Sequence, residues 1–231
     1  MVLKYYYDLL SQPSRAVYIF LKMNKIPFEP VPVKVGEGEH LTEEFREKHS
    51  KFQKVPFIHH DDFRLTESVA IVRYLAREYQ VKEHWYPKEV RPQARVDEYL
   101  EWNHLNIRLG CAKYFFDKVM HPMMTGKPPS DELVKKNLKA MEKSLTDFER
   151  IFLSSEAPFI TGTEISFADL QAACEIEQPR LAGYQPRDHF PKIRTWLGNV
   201  RSECQPYYDE AHKPLEAWLK VSQKKAATAK L

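Results

Sequence analysis

The chain has 231 residues, 43% of them hydrophobic, with 35 Lys and Arg against 32 Asp and Glu for a net charge of +3. That length holds one large or two modest domains with a real core, and so small a charge excess gives no reason to expect nucleic acid as a partner. The lack of an apolar run of about 18 residues, and of a signal-peptide h-region after Met-Val-Leu-Lys, predicts a soluble cytoplasmic protein with no membrane insertion. Cys111, Cys174 and Cys204 are odd in number, scattered and without C-x-x-C, which fits a reducing compartment and no disulfide framework.

Residues 4–7 form a short aromatic strand, and Ser11 or Pro13 starts a helix with Val17, Phe20 and Leu21 inward. Residues 28–33 read as a second strand, demoted to a sheet edge by Pro30 and Pro32. Gly36 and Gly38 mark a loop, and Thr42 with Phe45 begins a short polar helix. Phe57-Ile58 and Phe63-Arg64-Leu65 are two strands with residues 59–62 as their turn. Thr66-Glu67-Ser68 opens a helix through Val69, Ile71, Val72, Tyr74 and Leu75. The order β-α-β-α-β-β-α over residues 1–79 is mixed α/β and compatible with a thioredoxin-like sheet. Residues 80–89 are aperiodic, contain Tyr86-Pro87 and make a linker. From residue 90 to 231 every pattern is helical: a long helix over 91–120 closed by His121-Pro122, a second capped by Asp131, and two more near 193–200 and 207–222. Ser166-Phe167-Ala168-Asp169 has the form of a capping box, with Ile165 set to staple onto Leu170. The terminal lysines Lys220, Lys224, Lys225 and Lys230 read as a frayed, solvated helix.

Residues 54–68 carry the binding chemistry. Pro56 donates no backbone hydrogen bond, so the strand edge at Val55 is open to an extended peptide. The free N–H groups at the start of the following helix, beside the Ser68 hydroxyl, suit a carboxylate. A small anionic peptide fits both ends of this one segment. Ser11-Gln12-Pro13-Ser14 stands where a redox-active thioredoxin puts Cys-x-x-Cys, so a reactive thiol must arrive with a bound molecule. The alternative for Ser11 is a plain helix cap. Tyr5, Tyr6 and Tyr7 compete for its role, although packing accounts for all three, with Tyr5 and Tyr7 on one face and Tyr6 on the other. His59-His60-Asp61-Asp62 has metal-ligand types but sits on a tight turn with no partner pair, so no metal is expected.

These blocks resemble the theta class of cytosolic glutathione transferases. The resemblance rests on Val55-Pro56 with the hairpin and Glu67-Ser68, on residues 7–17 (YDLLSQPSRAV) and 65–71 (LTESVAI), and continues through Trp85-Tyr86-Pro87 and residues 95–100 (RVDEYL). It implies an N-terminal thioredoxin-like domain plus an all-α C-terminal domain, glutathione as co-substrate, and a homodimer. By the same resemblance Ser11 is the catalytic hydroxyl that keeps the glutathione sulfur ionised. Glu67 and Ser68 then take the γ-glutamyl end, with Val55 and Pro56 pairing its backbone and His40 and Lys54 meeting the glycyl carboxylate. Arg108, with Tyr114, Phe116 and Met120 downstream, is expected to face the electrophile, although aromatic residues at helical spacing are more often core. Residues 47–53 depart from the family's Asn-Pro stretch and leave that loop's path open. The acid that some classes lend across the dimer is not visible in residues 102–106. The implied reaction is attack of glutathione thiolate on a small hydrophobic electrophile, displacing halide or sulfate or adding to an activated alkene, with hydroperoxide reduction as a side activity. The competing readings are a non-catalytic carrier on the same fold and a thiol-disulfide oxidoreductase, the latter opposed by Ser-x-x-Ser.

Overall fold

The computed structural model describes residues 2–228, with side chains described through residue 222; the side chains of Lys224, Lys225 and Lys230 in the expected basic tail lie outside that range. The first part is a four-stranded mixed sheet, with β1 (Leu3–Tyr7), β2 (Glu29–Pro32), β3 (Phe57–His60) and β4 (Phe63–Thr66) in the order β2-β1-β3-β4. β2 runs parallel to β1 and lies at the edge that Pro30 and Pro32 demand. β3 and β4 are antiparallel to their neighbours. Between the strands lie α1 (Gln12–Met23) and α2 (Glu43–Lys48), and α3 (Ser68–Glu78) follows β4. Alternation along β1 divides the sheet's two faces. Tyr5 and Tyr7 join the main core, while Tyr6 joins Val33, Phe45 and Phe57 in a smaller cluster.

The hairpin is tighter than its sequence suggests. His59 and His60 belong to β3, and the turn is only Asp61-Asp62, with Asp61 in the left-handed conformation (φ 54°) that a short polar side chain tolerates. His60 is buried, its Nδ1 2.7 Å from the Tyr74 hydroxyl, and His59 Nε2 donates to His49 O at 3.0 Å.

Apart from an isolated β-bridge between Phe159 and Gly162, the regular elements described after α3 are helical: α4 (Val90–Asn103), α5 (Leu109–Phe115), α6 (His121–Thr125), α7 (Asp131–Ile151), α8 (Phe167–Glu177), α9 (Pro186–His189), α10 (Pro191–Glu203) and α11 (Tyr207–Thr228). α4, α5 and α6 form one long rod, joined by π-helical turns over His104–Arg108 and Phe116–Met120. His121-Pro122 therefore does not close the helix. The widened turn before Pro122 accommodates a residue with no N–H to give, and the rod ends at Gly126 in the left-handed conformation (φ 69°). Ser130, not Asp131, caps α7, accepting from Leu133 N. The capping box of α8 forms as read, and its Asp169 also accepts from Ile160 N at 2.8 Å and Trp196 Nε1 at 2.9 Å.

α1 packs between the sheet and α8, with α11 alongside, so one core runs from the strands into the helical part. At this junction His212 of α11 is buried, stacked on Tyr208 at 4.2 Å between ring centres, and its Nδ1 donates to Tyr208 O at 2.8 Å. Burial first, then the Arg15 cation, pushes its pKa down to about 3, with Glu177 pulling the other way and Arg180 adding to the fall. The unfolded chain thus takes up this proton first. The stability is fully present above about pH 6.5 and is lost as pH falls toward 3. His212→Asn, which keeps a donor near the Nδ1 position, is expected to remove on the order of 4 kcal/mol of acid sensitivity across that range. Thermal melts at pH 7 and pH 4 check this, and an unchanged difference in Tm between wild type and variant contradicts it.

Candidate active site

One cavity of about 130 Å³ gathers Lys54, Val55, Pro56, Glu67 and Ser68 from the first part with Arg108 from the long rod. Pro13, Phe52, Thr66, His104 and Gln171 complete its walls. The backbone N–H and C=O of Val55 enter no backbone hydrogen bond among the described residues, as an open strand edge requires. The Val55-Pro56 bond is cis.

Glu67 sits at the N-cap of α3 with φ 68° and ψ 116°, a left-handed backbone position that L-residues adopt at a cost of about 1–3 kcal/mol. Its side chain caps nothing, and no acid stands in the first turn of α3. Ser68 is buried, and its hydroxyl reaches Gln171 Oε1 of α8 at 3.4 Å. Gln171 Nε2 lies 3.5 Å from Glu175 Oε1, and Arg108 donates to that same oxygen. The fully buried Glu175 raises the Arg108 pKa, and Glu67 acts on it in the same direction. A polar chain therefore links the start of α3, through α8, to the first π turn.

Ser11 stands at the N-cap of α1, partly buried, and its hydroxyl makes no cap bond. The plain-cap reading thus lacks its side-chain hydrogen bond in this structure. Ser11 is not among the cavity's lining residues, although Pro13 in the same helical turn is. The rival tyrosines are committed elsewhere. Tyr5 is fully buried and donates to Ser14 O at 2.7 Å, and desolvation holds its pKa well above the usual range. Tyr6 packs on Phe57, and burial also raises Tyr7. His40 lies outside the cavity in a 3-10 turn (Glu39–Leu41); burial lowers its pKa while nearby Asp8 raises it. The loop over 47–53 is held by Gln53 Nε2 on Thr42 O and by His59 on His49 O, and it presents Phe52 at the cavity.

The expected electrophile residues separate. Arg108 lines the cavity, whereas Tyr114 is core, edge-on to Tyr184 at 6.1 Å and accepting from Lys118 Nζ. Phe116 (44% exposed) and Met120 lie on the second π turn, away from the cavity wall. Helical spacing cannot tell a core face from a pocket face, which is why Tyr114 read as either. Gln171 escaped the sequence reading altogether, since its partner Ser68 is 103 positions away. All three cysteines are buried, and burial raises each thiol, Cys174 to about 12, so none is poised as a nucleophile.

A four-stranded mixed sheet with an open strand edge at Val55, joined to a helical part, marks a class of protein able to hold an extended peptide. Family models agree: "Glutathione S-transferase, N-terminal domain" matches residues 1–77 and "Glutathione S-transferase, C-terminal domain" matches residues 112–203. The chain is 44% identical to glutathione S-transferase theta-1 of Bos taurus, over 92% of this chain and 88% of that protein. It is 39% identical to glutathione S-transferase theta-2 of Rattus norvegicus, over 97% and 91%. Among solved structures, human glutathione-S-transferase T1-1 in its apo form superposes with a TM-score of 0.87 at 42% identity, covering 94% of this chain and 90% of that one. A human theta-class transferase in complex with the glutathione conjugate of 1-menaphthyl sulfate gives 0.89 at 36% identity, covering 99% and 92%. The chain belongs to the glutathione S-transferase family, theta class, and is a transferase that uses glutathione.

Proposed function

We propose that this protein holds glutathione along residues 54–68 and uses Ser11 to keep its sulfur ionised for attack on a small hydrophobic electrophile. The observation that carries the reading is the cavity in which the open Val55 edge, the uncapped start of α3 and the Glu67 carboxylate converge. In this reading residues 1–79 are the glutathione domain, 80–89 the linker and 90–231 the helical domain. Val55 pairs with the peptide backbone in strand fashion, with Pro56 fixing the edge beside it. Ser68 and its N–H take the γ-glutamyl carboxylate, and Glu67 accepts from the ammonium. Lys54 and His40 meet the glycyl carboxylate.

Ser11 donates to the sulfur at the positive end of α1, so the thiol releases its proton to solvent near neutral pH. The thiolate then forms a C–S bond as a C–halide or C–sulfate bond breaks, or as it adds to an activated alkene. The acceptor lies beside Arg108, and Tyr114, Phe116 and Met120, which stand off the cavity wall, are given no part in holding it. Two copies form a homodimer in the cytoplasm, as expected of theta-class transferases. The human relative crystallised with a conjugate of 1-menaphthyl sulfate supports an aryl-methyl sulfate as a substrate class.

Calorimetric titration with glutathione tests the binding half. Glu67→Gln is expected to weaken affinity about tenfold to a hundredfold, the worth of one charged hydrogen bond, with Tm unchanged. Equal affinity in the two proteins removes Glu67 from the site, and no uptake at millimolar glutathione overturns the reading as a whole.

A further inference from the structure

Arg15 is the largest fully buried side chain in the protein, at 0% exposure, and its four hydrogen bonds all end on neutral oxygens. Nη1 donates to Leu9 O at 2.9 Å and Leu10 O at 3.2 Å, the two residues directly before Ser11. Nη2 donates to Cys174 O at 2.9 Å and Gln178 Oε1 at 2.7 Å, both from the helical part of the chain. Gln178 Nε2 returns to Leu10 O at 3.3 Å, and Arg15 N itself donates to Ser11 O at 3.1 Å. A single guanidinium thus ties the turn that carries Ser11 to α8 and the turn after it.

A buried cation normally takes a carboxylate partner, because desolvating a lone charge is expensive. Here the three buried acids of α8 are engaged elsewhere: Glu175 by Arg108, Glu177 by Arg180 and Arg187, and Asp169 by Ser166, Ile160 N and Trp196 Nε1. The remaining titratable neighbours are Tyr5 from β1, Asp8 from the turn, Cys174 from α8 and His212 from α11. Asp8 is bound to Leu10 N, and Tyr5 is tied to Ser14 O. The Arg15 cation acts on its surroundings, lowering both Cys174 and His212 against or beyond the effect of their burial. A positive charge without a direct counter-ion therefore lies beneath the N-terminus of α1.

We propose that Arg15 is a positioning residue for the transferase reaction: it fixes the Leu9–Ser11 turn, and its uncompensated charge adds to the Ser11 hydroxyl in stabilising the glutathione thiolate. This rests on Ser11 facing the sulfur. A charge on the order of 10 Å away, at an effective dielectric of about 20, moves an acid by about one pH unit.

The test leaves Arg15 in place and supplies the missing partner. Gln178→Glu offers the cation a carboxylate, while Gln178→Leu removes the same hydrogen bonds and adds no charge. Ultraviolet titration of the thiolate near 240 nm in the glutathione complex, with kcat and KM profiles from pH 5.5 to 9, is run on both variants, on Ser11→Ala and on wild type. Q178E is expected to raise the bound thiol by about one pH unit and to lower kcat at pH 6.5 several-fold, with recovery by pH 9 and an unchanged KM for glutathione. Q178L is expected to leave the thiol within about 0.3 unit of wild type. A thiol unmoved in Q178E, or moved equally in both variants, overturns the electrostatic role while S11A still shifts it; a thiol unmoved by S11A overturns the Ser11 reading instead. If neither Gln178 variant folds, Arg15→Lys decides. A charge-keeping R15K is expected to lose Tm and hold the thiol near its wild-type value, and a thiol raised by a full unit with Tm retained contradicts the proposal.

Discussion

Ser11→Ala is expected to raise the pKa of bound glutathione by about 2 units and to lower kcat/KM at pH 6.5 roughly 50- to 100-fold, with the affinity for glutathione within about threefold of wild type. A free thiol near 8.5 is almost entirely protonated at that pH, so loss of thiolate translates directly into loss of rate. Above about pH 9 the variant should approach wild-type turnover, because solvent then supplies the ionisation proposed for the hydroxyl. Ser11→Ala should also leave thermal stability almost unchanged. The hydroxyl makes no cap bond to α1, so its removal strands no helix donor. Stopped-flow conjugation rates across pH, paired with thermal melts, separate these effects. A variant that loses more than about 1 kcal/mol of stability and keeps its thiol ionisation would return Ser11 to an ordinary structural role.

Asp169→Ala is expected to cost on the order of 5 kcal/mol, the largest effect on stability of any single side chain discussed. Its carboxylate accepts from Ser166 N at 2.9 Å, Ser166 Oγ at 3.0 Å, Ile160 N at 2.8 Å and Trp196 Nε1 at 2.9 Å, all in the buried interior. Alanine leaves these donors without an acceptor, and each buried orphan carries a penalty of about 1–3 kcal/mol that is not fully additive. Because α8 packs on α1 and carries Gln171 and Cys174, the damage should reach the site as weaker glutathione binding in whatever fraction folds. Urea unfolding measures the loss, and a value below about 2 kcal/mol would mean that water replaces the carboxylate.

What the sequence made legible was local. The capping box at Ser166, the proline-marked edge at Pro30 and Pro32, and the Val-Pro and Glu-Ser pairs that frame the hairpin are each decided by residues within a few positions of one another. The place of Ser11 at the start of α1 was legible, though only the structure separates an uncapped hydroxyl from a capping one. What stayed hidden joins distant segments. Gln171 meets Ser68 across 103 positions and Gln178 meets Arg15 across 163, and a buried polar side chain on a helix looks like any solvated one until its partner is known. His59 and His60 were read as turn because four polar residues in a row suit a loop. The two-residue turn instead rests on Asp61 accepting a positive φ, while Phe57 to His60 keep full register with β1.

The two π turns give the long rod a property that point substitution does not probe. Each wide turn carries one residue more than an ordinary helix needs, so excising a residue from 104–108 would let the rod snap to regular winding. Because the wide turn takes in its extra residue without turning the helix beyond it, everything after the cut would keep the face it now presents. Gly110, where an added Cβ would lie 3.1 Å from Met141 Cα, would still face α7, and Leu109 would stay exposed. The surplus residue is thus a slack built into the rod's length: a single-residue deletion within 104–108 should be better tolerated than one in the regular turns of α4 or α5, where everything beyond the cut would rotate by about 100°.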